Sequence, residues 1–158
     1  QMRDIQHTIN YKIYDIESEL IQEDADLLTY AKKAMQNAYA PYSKFQVGAA
    51  ALLANGEVVM GSNQENIAYP SGLCAERTAL FAAGSNFPNE KVLKIAIVAE
   101  GDLLPKTSVL SPCGSCRQVM AETSNRQKST FEILLLNPNG SVMVFNGIND
   151  LLPFGFGN

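Results

Sequence analysis

Val92-Leu93-Lys94-Ile95-Ala96-Ile97-Val98-Ala99 is an apolar run rich in β-branched residues, broken only by Lys94. Without polar alternation it reads as a strand covered on both faces. Such cover requires helices, and the sequence on either side supplies them. Residues 71–83 place Ala75, Ala79, Leu80 and Ala83 on one helical stripe, with Gly84 as the closing residue. Residues 114–123 predict a short further helix. Upstream, Val47-Gly48-Ala49-Ala50-Ala51-Leu52-Leu53 and Val58-Val59-Met60 flank Asn55-Gly56, a hairpin signal because both turn residues tolerate positive φ. Downstream, Phe131-Glu132-Ile133-Leu134-Leu135-Leu136 and Val142-Met143-Val144-Phe145 flank Asn137-Pro138-Asn139-Gly140, which has the chemistry of a second turn. From Ser18, the positions Leu20, Ile21, Leu27, Leu28, Ala31, Ala34, Met35 and Ala38 keep a helical period, with acids early and Lys32-Lys33 late. That helix is predicted to stop near Pro41. The order helix, hairpin, helix, strand, helix, hairpin predicts an α/β fold, a three-layer α/β/α sandwich around a five-stranded mixed sheet.

The chain has 158 residues against about 150 for a typical domain, which leaves room for one core and no second domain. Residues 1–17 have no clean period and end in Asp15-Ile16-Glu17; an arm of irregular structure is expected there, with 18–158 as the single domain. Met2 is the expected native start, with Gln1 outside it. Apolar residues make up 46% and charged ones 18%, which excludes a disordered, collagenous or coiled-coil chain. Twelve Lys and Arg against 16 Asp and Glu give a net charge of −4, a field that repels phosphate backbones, so nucleic acid is not an expected partner. No stretch approaches the roughly 20 apolar residues of a membrane span, and a cytoplasmic protein without a membrane partner is expected.

Three cysteines, two of them separated only by Gly114 and Ser115, do not build a secreted disulfide framework. Cys74-Ala75-Glu76 opens one predicted helix and Pro112-Cys113-Gly114-Ser115-Cys116 the next. All three thiols therefore fall at helix N-termini, where free N–H groups and the dipole favour thiolate, the form that binds zinc. Three ligands leave a fourth position open, and the sole histidine, His7, lies far upstream; the count favours a catalytic zinc site over a closed structural one. Two buried thiols or a redox pair are the other reading of Cys113 and Cys116. Glu76 alone reads as an exposed helix acid, but beside a zinc-activated water it is a carboxylate able to move a proton to substrate. Residues two apart on a regular helix face nearly opposite ways, so Cys74 and Glu76 converge only if Cys74 sits at the helix end.

Cys74-Ala75-Glu76-Arg77 followed by Pro112-Cys113-Gly114-Ser115-Cys116-Arg117-Gln118 resembles the zinc-dependent cytidine deaminases that act on free nucleosides, whose class signature is a His or Cys, one residue, Glu, and later Pro-Cys-x-x-Cys. Tyr42-Ser43-Lys44-Phe45-Gln46-Val47-Gly48-Ala49-Ala50, Gly61-Ser62-Asn63-Gln64-Glu65-Asn66-Ile67-Ala68-Tyr69-Pro70 and Leu151-Leu152-Pro153-Phe154-Gly155-Phe156 resemble the family's remaining landmarks in order. The resemblance implies that Cys74, Cys113 and Cys116 bind one Zn2+ per chain and that Glu76 is the proton shuttle. It implies that Asn63 and Glu65 hold sugar hydroxyls. An Asn and a carboxylate two apart at a strand end project to one side and match a ribose 3′-hydroxyl as donor and acceptor; without the family they read as turn chemistry. Phe45 corresponds to the base-stacking aromatic, although a lone Phe before a strand also reads as core. The Ala75 backbone, Ser111 and Tyr69 correspond to contacts with the base or a neighbouring site. Phe156 corresponds to the aromatic that reaches a neighbouring subunit's site in tetrameric members, so a homotetramer is expected. Phe154 competes for that part, and a tail covering the chain's own core is the alternative.

The activity so implied is hydrolytic deamination of cytidine and deoxycytidine to uridine and deoxyuridine plus ammonia, a step of pyrimidine salvage. Glu76 would move protons from water to ring nitrogen 3 and to the amino group. Three thiolates against one Zn2+ leave a formal −1, for which Arg77 and the helix N-termini are the compensating charges. A modified cytosine nucleoside such as blasticidin S is the alternative substrate; Asn63-x-Glu65 and the Leu151-Leu152-Pro153 ending lean away from it. A thiol redox or zinc-storage protein and a nucleic-acid-editing deaminase are the readings from other classes. Editing of single strands relies on a positive groove with stacking platforms, against which a net charge of −4 argues.

Overall fold

The computed structural model describes residues 1–157. The apolar run becomes a strand near the middle of a six-stranded sheet. In chain order the elements are β1 (Lys12–Tyr14), α1 (Gln22–Met35), β2 (Gln46–Leu53), β3 (Val58–Ser62), α2 (Ala75–Asn86), β4 (Val92–Glu100), α3 (Gly114–Gln127), β5 (Glu132–Leu136) and β6 (Val142–Phe145). Across the sheet the order is β1-β6-β5-β4-β2-β3; β4 and β5 run parallel and the other neighbours antiparallel. Side-chain alternation sorts the layers. Ala49, Ala51, Ile95, Ile97, Ile133 and Leu135 face α2 and α3, whereas Ala50, Ala96, Val98 and Leu134 meet Leu27, Leu28, Ala31 and Met35 of α1. Two glycines let the helices descend onto the sheet. A Cβ on Gly48 would stand 2.1 Å from the Ala31 carbonyl oxygen, and one on Gly61 would stand 2.5 Å from the Ala79 nitrogen. The predicted three-layer α/β/α sandwich is therefore the architecture observed.

The sheet has one strand more than the five expected. Lys12–Tyr14, within the 1–17 arm, pairs antiparallel with β6, Tyr14 opposite Val142, and so covers an otherwise open edge. Tyr11 stacks on Phe145 with ring centroids 5.2 Å apart. Three residues are too few to display a period, so local sequence carries no sign of this strand. Helix ends also move. α1 starts after a 3-10 turn at Glu17–Glu19 and stops at Met35 rather than near Pro41, because Tyr39 leaves to donate its N–H to the Asn63 carbonyl at 2.9 Å. α2 starts at Ala75 rather than 71, since Tyr69–Ser71 form a 3-10 turn, and runs through Gly84 to Asn86. One interior Gly costs a helix only about 1 kcal/mol, which the buried stripe of Ala79, Leu80 and Ala83 outweighs. α3 continues past 123 to Gln127, where Lys128 ends it at φ 58.

Candidate active site

Cys74 is the residue before the first turn of α2 and Cys113 holds the same place before α3, both with extended backbone; Cys116 lies in the first turn of α3. Neither flanking cysteine caps its helix with a side-chain hydrogen bond, so both sulfurs are left for other partners. The three Sγ atoms lie within 4.8 Å of one another, Cys74 to Cys113 at 3.9 Å and Cys113 to Cys116 at 3.5 Å. A disulfide needs about 2.05 Å. Thiolates at about 2.3 Å from a tetrahedral zinc stand about 3.8 Å apart. The sulfurs thus fit a shared zinc and not a disulfide, and a three-thiolate set leaves the fourth position for water or substrate.

The electrostatics divide the trio. A hydrogen bond from Cys116, helped by the hydrogen bond and charge of Arg77, draws the Cys74 thiol down to about 5. Arg77 Nη2 stands 3.3 Å from Cys74 Sγ, while its Nε is buried with no hydrogen-bond partner. Cys116 is pushed upward by its bond to Cys74, by burial and by Glu76. Arg77 is thus the positive group placed directly at the cysteine cluster. Glu76 is 6% exposed, its Oε2 3.6 Å from Cys116 Sγ, and burial first, then the Cys74 charge, raises its carboxyl above the ordinary range. A carboxyl shifted upward in this way holds a proton more readily than a free carboxylate, the direction a proton shuttle needs. The geometric condition on Cys74 and Glu76 is met, because Cys74 sits at the very end of α2.

A cleft of about 980 Å³ opens over these helix ends. Cys74, Arg77 and Cys113 line it together with Tyr42, Asn63, Glu65 and Tyr69. Asn63 accepts from the Val47 N–H and donates to the Phe45 carbonyl, both at 2.8 Å. Glu65 accepts from the Tyr42 N–H at 3.0 Å, the Ser43 N–H at 3.1 Å and the Ser43 hydroxyl. The Ser43 hydroxyl, then the two amides and Lys44, hold its carboxyl below the usual range against the cost of desolvation. Both residues therefore clamp the 42–47 segment as well as facing the cleft. Phe45 is half-buried, packed beside Gly101, and is not among the cleft-lining residues. Ala75 is fully buried in the first turn of α2. Tyr69, Phe154 and Phe156 are 90%, 95% and 85% exposed. The tail leaves Phe154 and Phe156 exposed, the Phe154 ring 6.0 Å from that of His7, while Leu151 and Leu152 pack on the core, and the Phe156 carbonyl accepts from Gln118 Nε2 at 3.1 Å.

Three contributors escaped the sequence reading. Ser43 lies between Tyr42 and Phe45, and its signal is the small hydroxyl two residues before Phe45, where it donates to Glu65 and accepts from the Phe45 N–H. Asn137 read as turn chemistry, yet it is buried and holds the Leu110 N–H at 3.0 Å. Arg117 follows the second ligand pair; its position four after Cys113 is the spacing at which a helical side chain reaches back over the N-terminus.

The fold and the three-thiolate centre define a zinc deaminase of the class signature above. Residues 21–131 match the family model described as the cytidine and deoxycytidylate deaminase zinc-binding region, and the chain belongs to that family. It is 42% identical over 130 residues to the cytidine deaminase of Halalkalibacterium halodurans, covering 82% of this chain and 91% of that protein. It is 39% identical over 127 residues to the cytidine deaminase of Mycobacterium tuberculosis, covering 80% and 84%. The crystal structure of cytidine deaminase from Burkholderia pseudomallei superposes with a TM-score of 0.71 at 40% identity, over 87% of this chain and 100% of that one.

Proposed function

We propose that this chain hydrolyses cytidine and deoxycytidine to uridine and deoxyuridine with release of ammonia. The observation that carries the reading is the juxtaposition of a buried Glu76 with three sulfurs spaced for one metal, in a chain that matches cytidine deaminases over most of their length. Those relatives' names favour ordinary nucleosides over modified ones such as blasticidin S. Cys74, Cys113 and Cys116 would hold the zinc, which when bound supplies a Lewis acid that lowers the pKa of water toward about 7. Glu76 takes the proton of the water whose oxygen adds to carbon 4 of the pyrimidine. It returns that proton to ring nitrogen 3 and then serves the amino group, so that ammonia leaves and the carbonyl forms. Arg77, at Cys74 Sγ, offsets the excess negative charge of three thiolates. Asn63 and Glu65 would take the sugar hydroxyls, Phe45 would stack on the base, and the Ala75 backbone and Tyr69 would bound the base and the neighbouring site.

The exposure of Phe154 and Phe156 supports a homotetramer whose sites are completed by neighbouring subunits. Among the described residues no helix is long and apolar enough to cross a membrane. We read 18–158 as one catalytic unit with 1–17 as its arm, acting in pyrimidine salvage in the cytoplasm. The test is ammonia release from cytidine and deoxycytidine by protein of known zinc content, with Glu76→Ala beside it. One zinc per chain, activity on both nucleosides, and a loss of about 100-fold or more in a variant that keeps its zinc are expected. Zinc without turnover of either nucleoside would refute the substrate assignment.

A further inference from the structure

Cys113 ends the 101–113 segment, which contains no helix or strand. It is exposed, whereas Cys74 is half-buried and Cys116 buried. Its place is set by the start of α3 on one side and, on the other, by side chains that hold the residues before it. Asn137, just past β5, accepts from the Leu110 N–H at 3.0 Å and donates to Ser141 Oγ at 3.1 Å. Arg117 holds the next two residues. Its Nε donates to the Pro112 carbonyl at 2.8 Å, its Nη2 to Ser111 Oγ, and its Nη1 to the Leu151 carbonyl at 2.6 Å. All three guanidinium nitrogens are thus committed, two to the residues directly before Cys113 and one to the segment that follows β6. The Arg117 N–H also donates to the Cys113 carbonyl at 3.0 Å.

We propose that Arg117 is a positioning residue that sets Cys113 at the distance a shared metal requires, using the Leu151 carbonyl as its fixed anchor. The inference rests on the reading of the three cysteines as zinc ligands. Arg117 does not line the cleft and acts only through the backbone and hydroxyl at 111–112. A planar fork of donors is needed for three acceptors in three directions; the single ammonium of Lys cannot reproduce it. Partners that orient a ligand without touching the metal are commonly worth 10- to 100-fold in metal affinity.

The experiment follows withdrawal of zinc by a chromophoric chelator from wild type, Arg117→Gln, Arg117→Lys and Ser111→Ala, with melting temperatures of zinc-loaded and metal-free forms. Arg117→Gln is expected to release zinc about 10- to 100-fold faster, Arg117→Lys to recover part of that loss, and Ser111→Ala to show a smaller increase. The rise in melting temperature on zinc loading should shrink in the same order, since binding to the native state alone stabilises it by mass action. A purely structural Arg117 would lower both melting temperatures equally and leave the release rate unchanged, which overturns the proposal. Should Arg117→Gln fail to fold, Ser111→Ala decides: it trims one contact at an exposed position, and wild-type release from it overturns the proposal. A wild-type chain that binds no zinc overturns the ligand reading itself, and the proposal with it.

Discussion

Replacing Gly61 by Ala puts a methyl group where α2 crosses β3. The new Cβ would stand 2.5 Å from the Ala79 nitrogen and 2.6 Å from the Ala75 carbonyl oxygen. Both are helix backbone, so no rotamer relieves the clash. Ordinary contact begins at 3.4 Å, so α2 must lift by about 0.9 Å. Cys74 and Glu76 ride on that helix, whereas Cys113 and Cys116 belong to α3. Metal–ligand distances tolerate about 0.2 Å, so the lift exceeds what the centre can absorb. Overpacking costs about 1–3 kcal/mol, a fall of roughly 2–12 °C at 2–4 °C per kcal/mol. A displacement near 1 Å also costs about 100-fold in rate.

Gly48→Ala is the control. Its Cβ would stand 2.1 Å from the Ala31 carbonyl, a larger intrusion that moves α1, on the opposite face and without a metal ligand. The assay is zinc per chain after dialysis against a chelator, read beside melting temperature. Gly61→Ala should lose zinc out of proportion to its stability loss; Gly48→Ala should lose at least as much stability and keep its zinc. Equal zinc loss per degree in the two variants would refute the idea that the helix seat on Gly61 sets the ligand geometry.

Lys94, interrupting the apolar run, binds Asp24 at 2.6 Å, Glu23 at 2.9 Å and Glu132 at 3.4 Å, with Lys94 and Asp24 side chains only 13% and 11% exposed. Lys94→Met strands Asp24 and should cost about 3–5 kcal/mol by urea unfolding; Asp24→Asn should cost less, since Lys94 keeps two partners. Burial pulls the Lys94 pKa down, but the hydrogen bonds to Asp24 and Glu23 and the charges of Asp24 and Glu132 raise it above 10.5. The folded state thus holds this proton more tightly than the unfolded one, so the wild-type advantage is full below pH 10.5 and should close as pH rises further. Equal costs for the two variants would contradict the network. Glu65 shifts the other way: its contribution is present above 4.5 and lost as pH falls through its lower folded value. In Ser43→Ala its carboxyl resonance should titrate closer to 4.5 by NMR; an unmoved titration would remove Ser43 as the main cause.

Where a local period exists, the sequence is explicit. The unbroken apolar runs of β4 and β2 mark buried strands, and the stripe of α2 marks a helix packed on them, in the chain itself. β1 was hidden because its only reason to form is the open edge of β6, which belongs to residues more than a hundred positions away. Helix ends shifted for the same kind of reason: Met35 ends α1 because the Asn63 carbonyl claims the Tyr39 N–H. The thiols were legible because metal chemistry restricts residue types and spacing. Arg117 and Asn137 were not, since each holds a segment, residues 110–112, whose path no local rule predicts.

Asn63 and Glu65 lie between these cases. Their residue types suit a sugar, yet their hydrogen bonds go to the chain itself. The two roles are compatible by count. A carboxylate offers about four acceptor sites and an amide two donors and two acceptor sites. Glu65 uses three with Tyr42 and Ser43, and Asn63 one of each kind with Val47 and Phe45. What is left, one acceptor on Glu65 and one donor and one acceptor on Asn63, is held rigid by the bonds already made. A hydroxyl arriving in the cleft would meet groups whose orientation is already fixed by folding, so binding would order the ligand without having to order the loop.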